Sequence, residues 1–559
     1  MTRLVFALWL ALATGCASVA PPEPVHLRLI AFNDFHGHLE TPTQGVIVAD
    51  SSAPQGLRRM PAGGVAHLAT AIRELKSGQA HTVVVAAGDL ISASPPVSSV
   101  FLDEPAVNAL SAAGLELTSV GNHDFDRGRE ELERLQRGGC STPDSCFDGR
   151  FPGAGFQYLA ANVIDSATGK PLFPPYAIRS YGGVPVAFVG AVLRGTPQIV
   201  SASGIRGLAF LDEAQSVNAL VPELRAKGVE AIVLLIHEGG HSSGAYDDPA
   251  CPRFEGAILG VLRRLDRAVD IVVSGHTHEA YVCRVDGRLV TSAGSYGRFV
   301  TAIDLGLDPR SRDVVEARAT NIIVDPQKFA ADPRLEAYVR RVADRAKDRL
   351  SRVIGTIEGE FTPVASTAGE SNLGNLVADS QLAAMREPAG AEVAFMNPGG
   401  MRASLMSTRP DRAVTFGDVY SVQPFGNTLV AMTLTGTQIL RLLEQQWRSA
   451  DPGVRPRLLQ VSEGFRYAWD ASKRAGARIV PGSVAIAGRP LEEGARYRVV
   501  VNSFLAGGGD GFTVLTEGID VTGGPLDIDA FESHLRGRTL VARPPEGRIK
   551  KMVSGTTFR

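Results

Sequence analysis

Leu117-Thr118-Ser119-Val120-Gly121-Asn122-His123-Asp124-Phe125-Asp126 is a short β-prone run that breaks, at a glycine, into a cluster of Asn, His and Asp. Four other stretches have the same form. Leu27-Arg28-Leu29-Ile30-Ala31 runs into Asn33-Asp34-Phe35-His36, and Val83-Val84-Val85 into Gly88-Asp89. Ile232-Val233-Leu234-Leu235-Ile236 leads to His237-Glu238-Gly239-Gly240, and Ile271-Val272-Val273 to Ser274-Gly275-His276-Thr277-His278. Open α/β sheets build their sites from loops at the carboxyl ends of their strands, so five such clusters can converge on one point.

Around these stretches the chain alternates between two periods. Strands are expected at Leu27–Ala31, Thr82–Ala86, Leu117–Val120, Val184–Val189, Ala231–Ile236 and Asp270–Val273. Val65–Lys76 has Val65, Leu68, Ala69, Ile72 and Leu75 on one helical face, and a second helix over Val217–Lys227 stops before Gly228. The alternation predicts an α/β domain over 26–325. Residues 326–350 change character, being charged and Ala-rich, and read as a solvated helix linking two domains and a place for a hinge. A new pattern over 351–550 has a helix at Leu373–Arg386, strands near Val393–Met396 and Arg496–Val501, and Gly-rich loops at 398–400 and 507–511. At 559 residues, the chain is too long for one ordinary core, in keeping with two large domains.

A net charge of −2 speaks against a nucleic-acid binder, and aromatic residues make up only 6% of the chain. Residues 1–20 read as an export signal: Arg3, then the apolar segment Leu4–Ala13, then Thr14-Gly15-Cys16. Small residues before Cys16 resemble the cleavage box of bacterial lipoproteins, which would leave a lipid anchor on Cys16 as the one membrane contact. Cleavage after Ser18-Val19-Ala20 is the alternative. The expected location is the periplasm or the outer membrane of a bacterium. Export favours disulfides; proximity pairs Cys140 with Cys146 and leaves Cys251 with Cys283. A zinc site is the rival use of these four cysteines, but no C-x-x-C spacing is present.

The chemistry of the five clusters is that of a dinuclear metal site. Carboxylate oxygens and imidazole nitrogens without thiolate suit Zn, Mn or Fe, and one Asp can bridge two ions. Two divalent cations clamp the attacking and leaving oxygens of an in-line phosphoryl displacement. His123, close to these clusters and followed three residues later by Asp126, has the form of an oriented general acid.

Asp-x-His, Gly-Asp, Gly-Asn-His-Asp, His and Gly-His-x-His, in this order, resemble the calcineurin-like metallophosphoesterase superfamily and, within it, the 5′-nucleotidase and UDP-sugar hydrolase family. The likeness extends from about residue 26 to 550. It implies a four-layer αββα sandwich, a connecting helix and a C-terminal α/β nucleotide-recognition domain. It implies that Asp34, His36 and His278 bind one metal and Asn122, His237 and His276 the other, with Asp89 bridging. It further implies that His123 protonates or stabilises the leaving oxygen while Asp126 orients it, with a water ionised by the cations as nucleophile. His38 is a possible phosphate contact. Asp124 stands where the family usually has Glu.

In the second half, Asn397-Pro398-Gly399-Gly400-Met401-Arg402 combines glycines with a guanidinium suited to phosphate. Phe425 and Phe504 lie in Gly- and Asn-rich loops, where an aromatic pair can hold a flat base. The resemblance implies that these rings stack on the base, that Asp510 holds the ribose, and that Asn397, Gly400 and Arg402 contact the substrate. Where many members carry Arg three residues before Asn372, this chain has Gly369. The expected activity is hydrolysis of a small-molecule nucleoside 5′-monophosphate, with 2′,3′-cyclic nucleotides and UDP-sugars as alternatives. A sulfur-oxidation hydrolase is a more distant alternative, and a catalytically inactive nucleotide-binding lipoprotein the non-enzyme one.

Overall fold

The structure, a computed structural model, describes residues 23–49, 52–53, 56–142, 146–200, 204–447 and 456–552. The expected export signal and Cys16 lie outside these residues. In the first half, two six-stranded sheets face one another. One orders Val314–Ile323, Phe299–Leu307, Val25–Phe32, Thr82–Ala87, Leu117–Ser119 and Gln157–Leu159. The other orders Ala280–Val285, Arg288–Ala293, Ile271–Ser274, Ala231–His237, Val184–Val192 and Tyr176–Tyr181. The strands that carry the five clusters run parallel to their neighbours among them, so their carboxyl ends share one edge of the sandwich.

The period-two alternation of each strand assigns its residues to layers. Leu27, Leu29 and Ala31 meet Val186, Phe188, Val233 and Leu235 between the sheets. Ile30 and Phe32 face outward beneath Val65–Lys76, while Ile232, Leu234 and Ile236 face outward beneath Glu213–Ala226. With both faces covered, every residue of Ala231–His237 is buried, as a parallel sheet between helix layers requires. The four-layer αββα sandwich is therefore present. Phe188 is wholly buried between the sheets. Phe188→Ala is expected to cost about 3–5 kcal/mol, read as a lowered urea midpoint of the transition that unfolds this half.

The helix expected from Val217 begins at Glu213, because Asp212 caps it by accepting the Gln215 N–H at 3.0 Å. The expected solvated linker takes a different form. Its helix runs over Pro333–Leu350, capped by Asp332, and buries Leu335, Val342 and Ala346 in the core of the first domain. The spacing of Leu335, Tyr338, Val339, Val342 and Ala346 makes one apolar stripe in a charged sequence, and burying that stripe docks the helix. Cys140–Cys146 and Cys251–Cys283 are both bonded, with Cα–Cα distances of 5.1 and 5.3 Å.

The second half centres on a five-stranded sheet ordered Gln460–Val461, Val393–Met396, Arg496–Asn502, Thr428–Thr435 and Ile519–Leu526. Asn372–Ala389 packs against it, capped by Ser371 and ended by Gly390 in a left-handed conformation. Thr435 and Gln438 form a capping box on Gly436–Glu444. The loops after Val393–Met396 and Arg496–Asn502, and the one before Thr428–Thr435, point toward the cluster edge of the first domain.

Candidate active site

Three of the five strand ends that carry the candidate ligands turn sharply. Asp34 (φ 50°), His36 (φ 47°), Asp89 (φ 51°), His276 (φ 72°) and His278 (φ 59°) all adopt left-handed backbone conformations, which non-glycine residues seldom occupy. Close approach also depends on Gly121. A Cβ there would stand 2.1 Å from Asp89 Oδ1, so only glycine lets the Asn122 loop lie against the Asp89 loop.

The turns gather two groups. Asp34, His36 and His278 place their ligand atoms within 4.8 Å of one another, and Asp89, His237 and His276 do the same. Asp89 Oδ2 lies between the groups, 2.9 Å from His237 Nε2 and 3.6 Å from His36 Nε2. Asp34 Oδ1 is 3.3 Å from His278 Nε2. The imidazoles are oriented from behind. His36 Nδ1 donates to the Ser92 carbonyl at 2.9 Å and His237 Nδ1 to the Ala87 carbonyl at 2.7 Å. A carbonyl can only accept, so in each neutral ring the lone pair is on Nε2, facing inward.

The donor set fits divalent cations. His36 Nε2 and His278 Nε2 face each other at 3.2 Å, and Asn122 Oδ1 is buried with no hydrogen-bond partner among the described residues. Nitrogen and oxygen atoms gathered this closely suit a cation that prefers N and O ligands. Burial pushes His276 down to about 3 and His36 well below the usual histidine range, so both rings are neutral, the form able to hold a cation. Burial pushes Asp89 up, but His237, His123 and His36 outweigh it and hold the carboxyl well below its ordinary value. Burial likewise pulls His237 down, and Asp89 and Asp34 override it, raising the group to about 10; without a cation this ring carries a proton on the Asp89 side, which a bound metal would displace.

His123 stands beside this centre on a short turn anchored by Phe125, a buried ring packed edge-on to Phe210. Its Nδ1 donates to Asp126 Oδ2 at 2.7 Å, and its backbone N–H to Asp89 Oδ1 at 2.8 Å. Burial pulls the imidazole down, but Asp126 and Asp89 raise it overall, and the Arg402 guanidinium opposes them. Asp124 accepts the Gly121 N–H at 2.7 Å and so closes the turn.

A cavity of about 240 Å³ joins the two domains. Asn122, His123, Asp126 and His276 form one wall; Asn397, Gly400, Arg402, Phe425, Phe504 and Asp510 form the other. Phe425 lies parallel to His123, with ring centroids 5.7 Å apart and an interplanar angle of 19°. Phe504 rests on Gly509, where a Cβ would meet its Cζ at 2.5 Å. Asp510 Oδ2 accepts from Asn397 Nδ2 at 2.8 Å. His38 is not part of this cavity; it stacks on Tyr296 at 4.0 Å and bonds the His36 carbonyl. A Cβ on Gly400 would meet Met396 Cε at 2.4 Å, so its missing side chain serves packing.

Ile199, Val200, Asn427, Arg457 and Asn502 also line the cavity, although the sequence does not single them out. Asn427 and Asn502 stand in the Phe-bearing motifs and are open to notice. Arg457 carries no signal, since nothing local places it beside Asp510. Opposite Gly369, a side chain would strike Leu458 Cδ1 at 2.3 Å, so Leu458 fills that space.

A two-sheet sandwich with two candidate metal-binding groups at one edge points to a metal-dependent phosphoester hydrolase, and the family comparisons show that class. The calcineurin-like phosphoesterase model matches residues 27–280, and the 5′-nucleotidase C-terminal domain model residues 353–517. The chain belongs to the 5′-nucleotidase family of calcineurin-like phosphoesterases. A 5′-nucleotidase precursor from Thermus thermophilus superposes with a TM-score of 0.75 at 30% identity, covering 94% of this chain and 99% of that one. A cell wall protein of Listeria monocytogenes is 30% identical over 96% of this chain and 70% of its own length. An endonuclease of Bacillus subtilis is 31% identical over 95% of this chain, which spans 41% of that protein's length.

Proposed function

We propose that the chain hydrolyses nucleoside 5′-monophosphates to nucleoside and phosphate outside the cytoplasm, as a step in nucleotide catabolism. The observation that carries this reading is the cavity. One of its walls holds His123 and the metal-ligand edge, and the other holds Phe425, Phe504 and Asp510.

Asp34, His36 and His278 would hold one cation and Asn122, His237 and His276 the other, with Asp89 shared. When bound, the cations supply the positive charge that draws in phosphoryl oxygens and lowers the pKa of an attacking water. The rest belongs to the chain. Arg402 engages the phosphate from the second domain. Asp126 accepts the Nδ1–H of His123, which leaves Nε2 to donate to the departing 5′ oxygen. Phe425 and Phe504 stack on the base, Asp510 accepts from the ribose, and Asn397 holds Asp510. Because the two domains supply opposite walls, a relative movement of the two would widen the cavity for nucleotide entry and nucleoside release.

The deciding experiment is a panel on the purified, metal-loaded chain: AMP, UMP, UDP-glucose, a 2′,3′-cyclic nucleotide and single-stranded DNA. The monophosphates are expected to give the highest kcat/KM. A diphosphate, cyclic nucleotide or oligonucleotide turned over faster would overturn the 5′-nucleotidase reading, and the relative named as an endonuclease makes the DNA arm worth including. Phe425→Ala and Phe504→Ala should each raise KM for AMP by about 5- to 150-fold, the stacking worth of one base face. An unchanged KM in both would remove the base site.

Export is supported by the two disulfides, which persist in oxidising compartments, and by the Listeria relative named as a cell wall protein. No described helix is long and apolar enough to cross a membrane. Attachment through a lipid on Cys16 predicts a mature chain that begins at that residue with an added acyl mass, which intact-mass measurement would read.

A further inference from the structure

We infer that Arg457 is a positioning residue of the sugar subsite, setting the Asp510 carboxylate for recognition of two adjacent ribose hydroxyls. This rests on the nucleotide reading above. Asp510 occupies a left-handed φ of 57° between Gly509 and Gly511, and its side chain is 11% exposed. A carboxylate in a largely buried cavity that receives an anionic ligand is unfavourable on two counts, desolvation and like charge. The surroundings answer both. Arg457 Nη1 donates to Asp510 Oδ1 at 2.7 Å, and Asn397 Nδ2 donates to Oδ2 at 2.8 Å. Asn397 is itself held by Asn502 Nδ2, which donates to its Oδ1 at 3.0 Å.

The acceptor arithmetic follows. An ionised carboxylate offers about four lone-pair sites, two on each oxygen. Arg457 fills one site on Oδ1 and Asn397 one on Oδ2, which leaves one on each oxygen for the ligand. Two neighbouring acceptor sites match two vicinal hydroxyls, and a 2′-deoxy sugar leaves one of them unused. Arg457 can hold this arrangement because its backbone is tied down: its N–H donates to the Gln446 carbonyl at 3.1 Å, and the following Leu458 fills the space over Gly369. Without the guanidinium, the carboxylate keeps its Asn397 contact but loses the anchor on Oδ1 and its counter-charge.

The test uses the metal-loaded full chain with Arg457→Ala and Arg457→Lys, assayed on AMP and its 2′-deoxy form. Arg457→Ala is expected to raise KM for AMP by about tenfold or more, the loss of one charged hydrogen bond, with kcat and metal content unchanged. KM for the deoxy substrate should move far less, so the ribose preference collapses; the Lys variant should restore part of it. A ribose preference present in the wild type and retained in Arg457→Ala, or equal KM increases for both substrates, would overturn the role of Arg457 while leaving the nucleotidase reading intact. No ribose preference in the wild type would overturn the sugar-site reading of Asp510 and this inference together.

Discussion

Asp89→Asn is expected to lower kcat/KM by about a thousandfold or more, the largest single effect in the chain. The carboxylate serves three groups at once. Its Oδ2 lies near both His237 and His36, and its Oδ1 takes the backbone N–H of His123. An amide keeps the shape but halves the acceptors, loses the negative charge and turns an N–H toward imidazole lone pairs. Metal content should fall below two ions per chain. There is a readout independent of turnover. Ions that bind only the folded state stabilise it by about 2.7 kcal/mol at a hundred times their Kd, so a chelator should lower Tm in the wild type and barely move it in the variant. An Asp89→Asn chain that kept two ions and full activity would sink the assignment.

His123→Ala is expected to lower kcat on AMP by about 10²- to 10⁴-fold, with two ions retained. His123 belongs to neither ligand group, yet it lines the cavity and is oriented by Asp126. The substrate's leaving group separates proton delivery from a structural role. On p-nitrophenyl phosphate, whose phenolate departs without a proton, the variant should lose far less. An equal loss on both substrates would argue that His123 shapes the site and does not donate. Asp126→Asn should show a smaller fall of the same kind.

The parts legible in the sequence are those whose signal is local. Ala231–His237 announces itself as a wholly apolar run ending in His, because a parallel strand covered on both faces needs nothing polar until its end. The two cysteine pairs are legible from number and proximity. The antiparallel strands over Phe299–Leu307 and Val314–Ile323 are harder to read; Val314–Ile323 alternates charged and small residues on a largely exposed edge. The docked face of Pro333–Leu350 is hidden for another reason. Its few apolar residues are diluted by arginines, and only the helix surface waiting for them shows that they are buried. Arg457 is the extreme case. Its meaning is its contact with a residue 53 positions away in sequence, which no spacing rule contains.

The left-handed turns at Asp34, His36, Asp89, His276 and His278 have a consequence for how this chain can change. Each holds an L-residue where glycine would rest more easily, at about 1 kcal/mol apiece. Together they amount to about 5 kcal/mol, comparable with the lower end of a domain's net stability of about 5–15 kcal/mol. Glycine at these positions would relieve the backbone but empty packed sites, since Asp34, His36 and Asp89 are buried and Asp89 holds the His123 N–H. The strain and the side chains therefore come and go together, and thermostable forms of this protein have to be sought in its cores and surface loops.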